Sequence, residues 1–293
     1  MTGGRPPLCS FVAEAAGDSR EGTAPPADQW FLLEHPGPWG RVPLTQSGID
    51  AQAVAAIGTW AAENRGRALL IRRPGRSARP MAPRRWFRVD SRPGREAIRT
   101  GRIDHEHELA AAVRSPGQPY DEPLHLVCSH GRHDTCCAVR GRPLVAALEA
   151  IDPTPTWECS HLGGCRFAPT LVLLPHGYMF GNVPPDDAAG VIKHYDAGLL
   201  DPRWLRGRTC CPPVVQAAQH HARASSRAFG VDALRATSVV EIAPARWRVA
   251  LADPECVVEL TERRVAAGRP LTCAATAPGW LREFELLAVT TPP

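Results

Sequence analysis

"CSHGRHDTCC", residues 128–137, follows the apolar run "PLHLV" at 123–127 and ends in a vicinal cysteine pair. A strand running into such a loop offers Cys128, His130, His133, Cys136 and Cys137 as metal-ligating side chains. Downstream, "WECSHLGGCRFAP" at 157–169 has the same arrangement, an extended segment followed by Cys159, His161 and Cys165. If the two apolar segments are adjacent strands, their ends bring both groups together. The pattern therefore predicts an α/β unit built around a ligand cluster. Four of these side chains suit either a tetrahedral zinc ion or two irons bridged by sulfide. Structural zinc commonly uses tight pairs of cysteines two to four residues apart. Eight residues separate Cys128 from Cys137, a loop wide enough to wrap a two-iron cluster. His161 and Cys165, spaced H-x3-C around Gly163-Gly164, would close the other side, with the glycines letting the backbone pass close to an inorganic core.

"CSHGRHDTCCAVRGRPL" followed by "WECSHLGGCRFAPTLVLLPHG" resembles the sucrase/ferredoxin-like family, related to thioredoxin-like [2Fe–2S] ferredoxins. "FLLEHPGPWG" at 31–40 is similar to that family's first region, and the likeness covers most of residues 9–215. The resemblance implies a thioredoxin-like α/β domain holding a [2Fe–2S] cluster. The family's C-x8-C cysteines fall on Cys128 and Cys137, and the first histidine of its H-x3-H element falls on His161. Its second histidine is Cys165 here, so the implied cofactor-binding set is Cys128, Cys137, His161 and Cys165, with Cys159 and His130 as alternatives for the fourth place. A three-thiolate, one-imidazole site is more negative than a two-histidine one and harder to reduce, so an intermediate potential is expected.

The remaining cysteines read differently. Cys136, in an extended segment, would face away from Cys137 and be a packed neighbour. Cys9, Cys256 and Cys273 stand alone as small buried hydrophobes, and Cys210-Cys211 reads as structural. His130 and His133 are loop residues that could donate to cluster sulfurs. Arg132, Arg140, Arg142 and Arg166 flank the site, either offsetting its charge or lying on the surface.

Working outward, the expected organisation is an N-terminal α/β region at 1–117, a thioredoxin-like ferredoxin domain at 118–212 and a small C-terminal α+β tail at 213–293. In the first region "WFLLEHPG", "ALLIRRPG" and "RRWFRVDS" read as strands. A helix runs from an Asp50 cap to Gly66, and a short one, capped by Asp104, lies in "DHEHELAAAVR" before the break "SPGQPYDEP" at 115–123. The central domain adds a helix started by Pro143, a hairpin turning at 175–177 and a helix in "PPDDAAGVIKHYDAG". The tail reads as one long helix from Val214 and two strands, "WRVALAD" and "CVVELTERRV". No internal repeat stands out.

At 293 residues the chain has room for two domains, and 44% hydrophobic with 22% charged residues is the balance of a soluble globular protein. Residues 1–22 offer no apolar core long enough for a secretory signal, so none is expected, and no run approaches the roughly 18 apolar residues of a membrane span. A cytoplasmic setting is expected, where thiols stay reduced. Ten cysteines there read as metal, cluster or redox chemistry. The net charge of +4 hides 13 arginines in residues 65–102 against Asp90 and Glu96, so the rest of the chain is net acidic. That run is either a solvated face or a docking surface for an acidic redox partner; with little aromatic interleaving, nucleic acid is not expected, nor is a membrane.

Electron transfer or redox sensing by one [2Fe–2S] cluster is the leading reading, and a zinc-stabilised binding module with the same ligands is the alternative. Thiol–disulfide exchange would want a C-x-x-C that the chain lacks, and sugar hydrolysis would want a carboxylate pair where only Asp134 and Glu158 are near. No P-loop, dinucleotide fingerprint or nucleophile elbow is present.

Overall fold

The computed structural model describes residues 7–75 and 83–291, so Arg76 and Arg79 of the arginine-rich run and residues 1–6 lie outside the described residues. Helix α1 (Cys9–Ala15) comes first. β1 (Gln29–Glu34) carries four consecutive large apolar side chains, Trp30 to Leu33, all fully buried, which marks a strand covered on both faces. It leads through α2 (Pro43–Gln46) to α3 (Ala51–Glu63), where the Asp50 carboxylate accepts from the amides of Gln52 and Ala53, the cap expected from sequence. β2 (Gly66–Arg72) then lies parallel to β1, while β3 (Arg84–Asp90) and β4 (Ala97–Ile103) add an antiparallel hairpin on its other side. The stretch around residue 104 forms a 3-10 turn capped by His105, not Asp104, running into the single turn α4 (Leu109–Ala112); β5 (Gln118–Pro119) follows.

The next segment repeats this path. β6 (Leu124–Cys128), α5 (Thr135–Ile151) and the parallel β7 (Thr156–Cys159) form a second β-α-β unit, and β8 (Thr170–Leu174) and β9 (Tyr178–Gly181) add its antiparallel hairpin. Strand order is β2-β1-β3-β4 in the first block and β7-β6-β8-β9 in the second. The blocks join edge to edge, because β2 pairs with β7 antiparallel. Ile71 faces Cys159 across that seam, and the two hold matching places: Ile71 lies beside Glu34, the last residue of β1, as Cys159 lies beside Cys128, the last of β6. A pseudo-twofold axis thus runs through the seam. The chain does contain a repeat, of topology and not of sequence, because pleated strands need only an apolar pattern and tolerate divergence of every individual side chain.

α6 (Ala188–Asp196) and β10 (Leu205–Arg208) complete a mixed ten-stranded sheet, confirming the α/β class. One core cluster packs Val127, Leu171 and Phe180 of the sheet against Leu144 and Leu148 of α5 and Val191 of α6. Another runs across the seam, joining Trp30, Leu32 and Ile71 of the first block to Leu126, Trp157 and Val172 of the second. α5 begins at Thr135, earlier than the Pro143 start read from sequence. Asp134 caps it, and Pro143 lies on its exposed face, where the carbonyl it leaves unbonded can turn to water.

α7 (Pro213–Ser226) lies on a four-stranded meander of β11 (Arg235–Ala243), β12 (Arg246–Ala252), β13 (Cys256–Ala266) and β14 (Trp280–Thr290), two strands more than expected. The extra strands carry many exposed residues, which hid their alternation. Among the described residues no helix is long and apolar enough to cross a membrane.

Candidate metal centre

β6 and β7 are parallel neighbours, so both end on the same side of the sheet. The loop after β6 leads into the first turn of α5, and the loop after β7 leads into the 3-10 turn Cys165–Phe167. Cys128 sits at the tip of β6, fully buried, and Cys137 is the third residue of α5. Donor atoms of Cys128, Cys137 and His161 lie within 4.8 Å of one another. Cys165 extends the set: its Sγ is 3.8 Å from the Cys137 Sγ and 3.6 Å from the His161 Nδ1. All four predicted residues therefore converge.

The alternatives for the fourth place lie elsewhere. Cys159 is fully buried, stands in none of these donor groups among the described residues, and burial pushes its thiol well up. His130 turns its Nε2 to the Gly40 carbonyl at 2.9 Å and packs edge-on against Trp39. His133 is closer to the chemistry than the sequence indicated: its ring stacks on His161 with centroids 3.6 Å apart, and it groups with His161 and Cys165.

The electrostatics favour thiolate. The Cys128 thiol is held well below the ordinary range, first by the Cys137 thiol against the opposing effect of burial, then by His161 and the amides of His130 and Leu162. Cys165 is lowered too, chiefly by Cys137, with His161 assisting, while Cys137 is raised by Cys128 and Cys165 and keeps the proton. Burial works against the charged form of His161, yet its contacts with the sulfurs of Cys128 and Cys165 raise it to about 9. A negative pair of sulfurs with an imidazole beside them is a donor set for a thiolate-seeking metal or cluster. The ten cysteines form no disulfide.

Two arginines that sequence reading missed, Arg67 half-buried and Arg206 fully buried, fix the second ligand loop. Arg67, from the first block, donates to the carbonyls of Leu162 at 2.6 Å and His161 at 3.1 Å. Arg206 of β10 donates to the Gly163 carbonyl at 3.0 Å and to Thr23. The glycines answer to close protein packing, Gly163 against Pro25 and Gly164 against Arg206. Gly163 and Gly164 both have positive φ, and a Cβ on Gly164 would stand 2.4 Å from the Arg206 guanidinium. Of the flanking arginines, Arg140 pairs with Glu14 of α1 and Arg166 with Asp18. The two carboxylates near the site are engaged as well: Asp134 caps α5, and Glu158 pairs with Arg72.

The sucrase/ferredoxin-like family profile matches residues 21–207, well over half of the chain. The chain belongs to the sucrase/ferredoxin-like family. No curated protein matches it. Among solved structures, a thioredoxin-like [2Fe–2S] ferredoxin from Aquifex aeolicus is 22% identical over 32% of this chain and 97% of its own, with a TM-score of 0.27. Two cysteine-to-serine variants of that ferredoxin match at 20% and 21% identity, covering 30% of this chain and all of theirs, with a TM-score of 0.26. For this family member, the profile takes in both sheet blocks, and all four residues of the donor set lie inside it.

Proposed function

We propose that this sucrase/ferredoxin-like protein is a one-electron carrier or redox sensor holding a single [2Fe–2S] cluster on Cys128, Cys137, His161 and Cys165. The observation that carries the reading is the convergence of three thiols and one imidazole from the ends of two parallel strands. The donors form an extended series from Cys128 to Cys165, suited to two metals more than to one. When bound, the cluster supplies the one-electron chemistry. The chain's own residues set the rest. Cys128 anchors the buried end, Arg67 and Arg206 hold the His161–Gly164 backbone, and the His161–His133 stack forms the half-buried edge through which an electron passes. Binding would release the proton that Cys137 retains.

Exposed Arg41 and Arg132 flank that edge, and the Arg41 carbonyl lies 3.4 Å from the His133 Nδ1. Several arginines of the 65–102 run serve inside the fold: Arg67 on the ligand loop, Arg72 on Glu158 and Arg73 on the carbonyls of Pro153, Thr154 and Thr156. An acidic redox partner meeting the histidine edge, with association that weakens as salt rises, is the docking mode this charge supports. A cytoplasmic location suits ten unpaired thiols.

The 3.8 and 3.6 Å contacts of Cys165 would also suit the edges of one zinc tetrahedron, which keeps the zinc-binding module as the second reading. Anaerobic purification decides between them. The cluster gives a red-brown protein with two irons and two acid-labile sulfides, lost or altered in Cys128→Ala, Cys137→Ala, His161→Ala and Cys165→Ala. Colourless, iron-free protein from iron-replete cells would rule the cluster out.

A further inference from the structure

Cys136 does not pack passively beside Cys137. The segment is helical, so the two side chains diverge around the axis of α5, and Cys136 meets two cysteines remote in sequence. Its Sγ lies 3.4 Å from that of Cys9 on α1 and 3.2 Å from that of Cys273 in the loop between β13 and β14. The Asp134 carboxylate completes the group, and one donor atom from each of the four lies within 4.8 Å of every other. Unlike the neighbouring extended series, this is a single compact quartet.

The surroundings treat these sulfurs as acceptors. Cys136 Sγ receives the Ser10 amide at 3.4 Å and the Ser10 hydroxyl at 3.2 Å, and Cys273 Sγ receives the Cys9 amide at 3.4 Å. Thiols packed merely as small hydrophobes do not gather polar donors, whereas thiolates bound to a metal do. Asp134 is fixed as well, accepting from the amides of Cys136 at 2.9 Å and Cys273 at 2.8 Å. Zinc–sulfur bonds of about 2.3 Å give a tetrahedron with edges of about 3.8 Å, so the sulfurs need to part by only about half an ångström to admit the ion. Cys273 is exposed while Cys9, Asp134 and Cys136 are buried, which leaves one side open for a metal to enter.

We propose that Cys9, Cys136, Cys273 and Asp134 form a second, mononuclear zinc site that staples α1 and the C-terminal meander to the start of α5. Zinc needs no redox partner, its ligands come from three separated segments, and its binding energy becomes folding energy for the contacts it closes. Because Cys136 precedes Cys137, the staple also holds the α5 turn that presents Cys137.

The test is zinc, iron and sulfide content of the full-length protein purified anaerobically, wild type beside Cys9→Ser and Cys273→Ser. One zinc per chain is expected in the wild type, lost at least tenfold in both variants while iron, sulfide and colour persist. Should the variants fold poorly, two wild-type measurements decide. Co2+ exchanged for zinc should give the visible bands of tetrahedral thiolate-bound cobalt, and Zn2+ should protect Cys9, Cys136 and Cys273 from alkylation until it is chelated. Wild type without zinc after Zn2+ addition, or with a disulfide among these cysteines, would overturn the proposal. Iron without zinc would sink the staple and leave the cluster standing; two zincs without iron would do the reverse.

Discussion

Arg67 reaches across the seam to hold the backbone of the loop that carries His161 and Cys165, and its partial burial disfavours exchanging those carbonyls for water. Arg67→Met keeps most of the volume but strands the Leu162 and His161 carbonyls. With two charge-assisted bonds lost, stability should fall by about 2–4 kcal/mol, and visible absorbance should decay faster under an iron chelator. Unchanged decay would show that the clamp does not position the ligands. Cys165 is the second informative residue. Its replacement by histidine exchanges a thiolate for a neutral imidazole, so Cys165→His should raise the reduction potential in a redox titration, and an unchanged potential would refute Cys165 as ligand. That Cys128, Cys137, His161 and Cys165 come together was legible in the sequence because two short local motifs carry them, and the family resemblance picked these four from the eight candidates there. The Cys9–Cys273 contact was not, because 264 positions separate its partners and no local spacing encodes it.

Helix α5 shows how an element places a ligand. A Cβ on its Gly141 would stand 2.2 Å from the Cys128 carbonyl, so helix and strand tip approach to a distance only glycine permits. By propensity alone Gly141→Ala would gain about 1 kcal/mol. The clash should win, with a net loss of about 1–3 kcal/mol, a lower Tm and poorer iron retention as Cys137 moves away from Cys128. A higher Tm would show that the helix can shift without cost. The sequence placed the start of this helix at Pro143 because proline favours first turns. The capping Asp134 lies inside a loop crowded with cysteine and histidine, and it was read there for chemistry. Strand β6 carries a pH signature of its own. His125 is 3% exposed, its Nε2 finds no partner among the described residues, and burial lowers its pKa to about 4. The unfolded chain, with an ordinary value of about 6.5, binds the proton first as pH falls. The stabilisation this neutral histidine contributes is therefore complete above about 6.5 and is lost through the window down to about 4, amounting to about 3 kcal/mol. Denaturant unfolding near neutral pH and near the bottom of that window should show a smaller drop for His125→Phe than for wild type; equal drops would assign the acid sensitivity to other groups.

At the scale of the whole molecule, the pseudo-twofold sets the donor set of the second block against an equivalent place in the first. Glu34 stands at the place of Cys128 and accepts from the Arg85 amide, and Ala53, third residue of α3, stands at the place of Cys137. The first block has the scaffold without the donors. What it contributes is the β2 edge, Arg67 and half of the core cluster across the seam. A fragment of residues 118–212 would contain every proposed cluster ligand yet expose β7, with Trp157 and Cys159 in it, as an unpaired edge. An edge of that kind seeks another strand. Because Ile71 and Cys159 hold matching places, β7 of a second copy could take the position of β2. The fragment should therefore self-associate in sedimentation experiments and hold its iron less well than the full chain, lacking Arg67. A monomeric fragment that retained the cluster as firmly as the intact protein would mean that the first block serves some purpose other than completing the sheet.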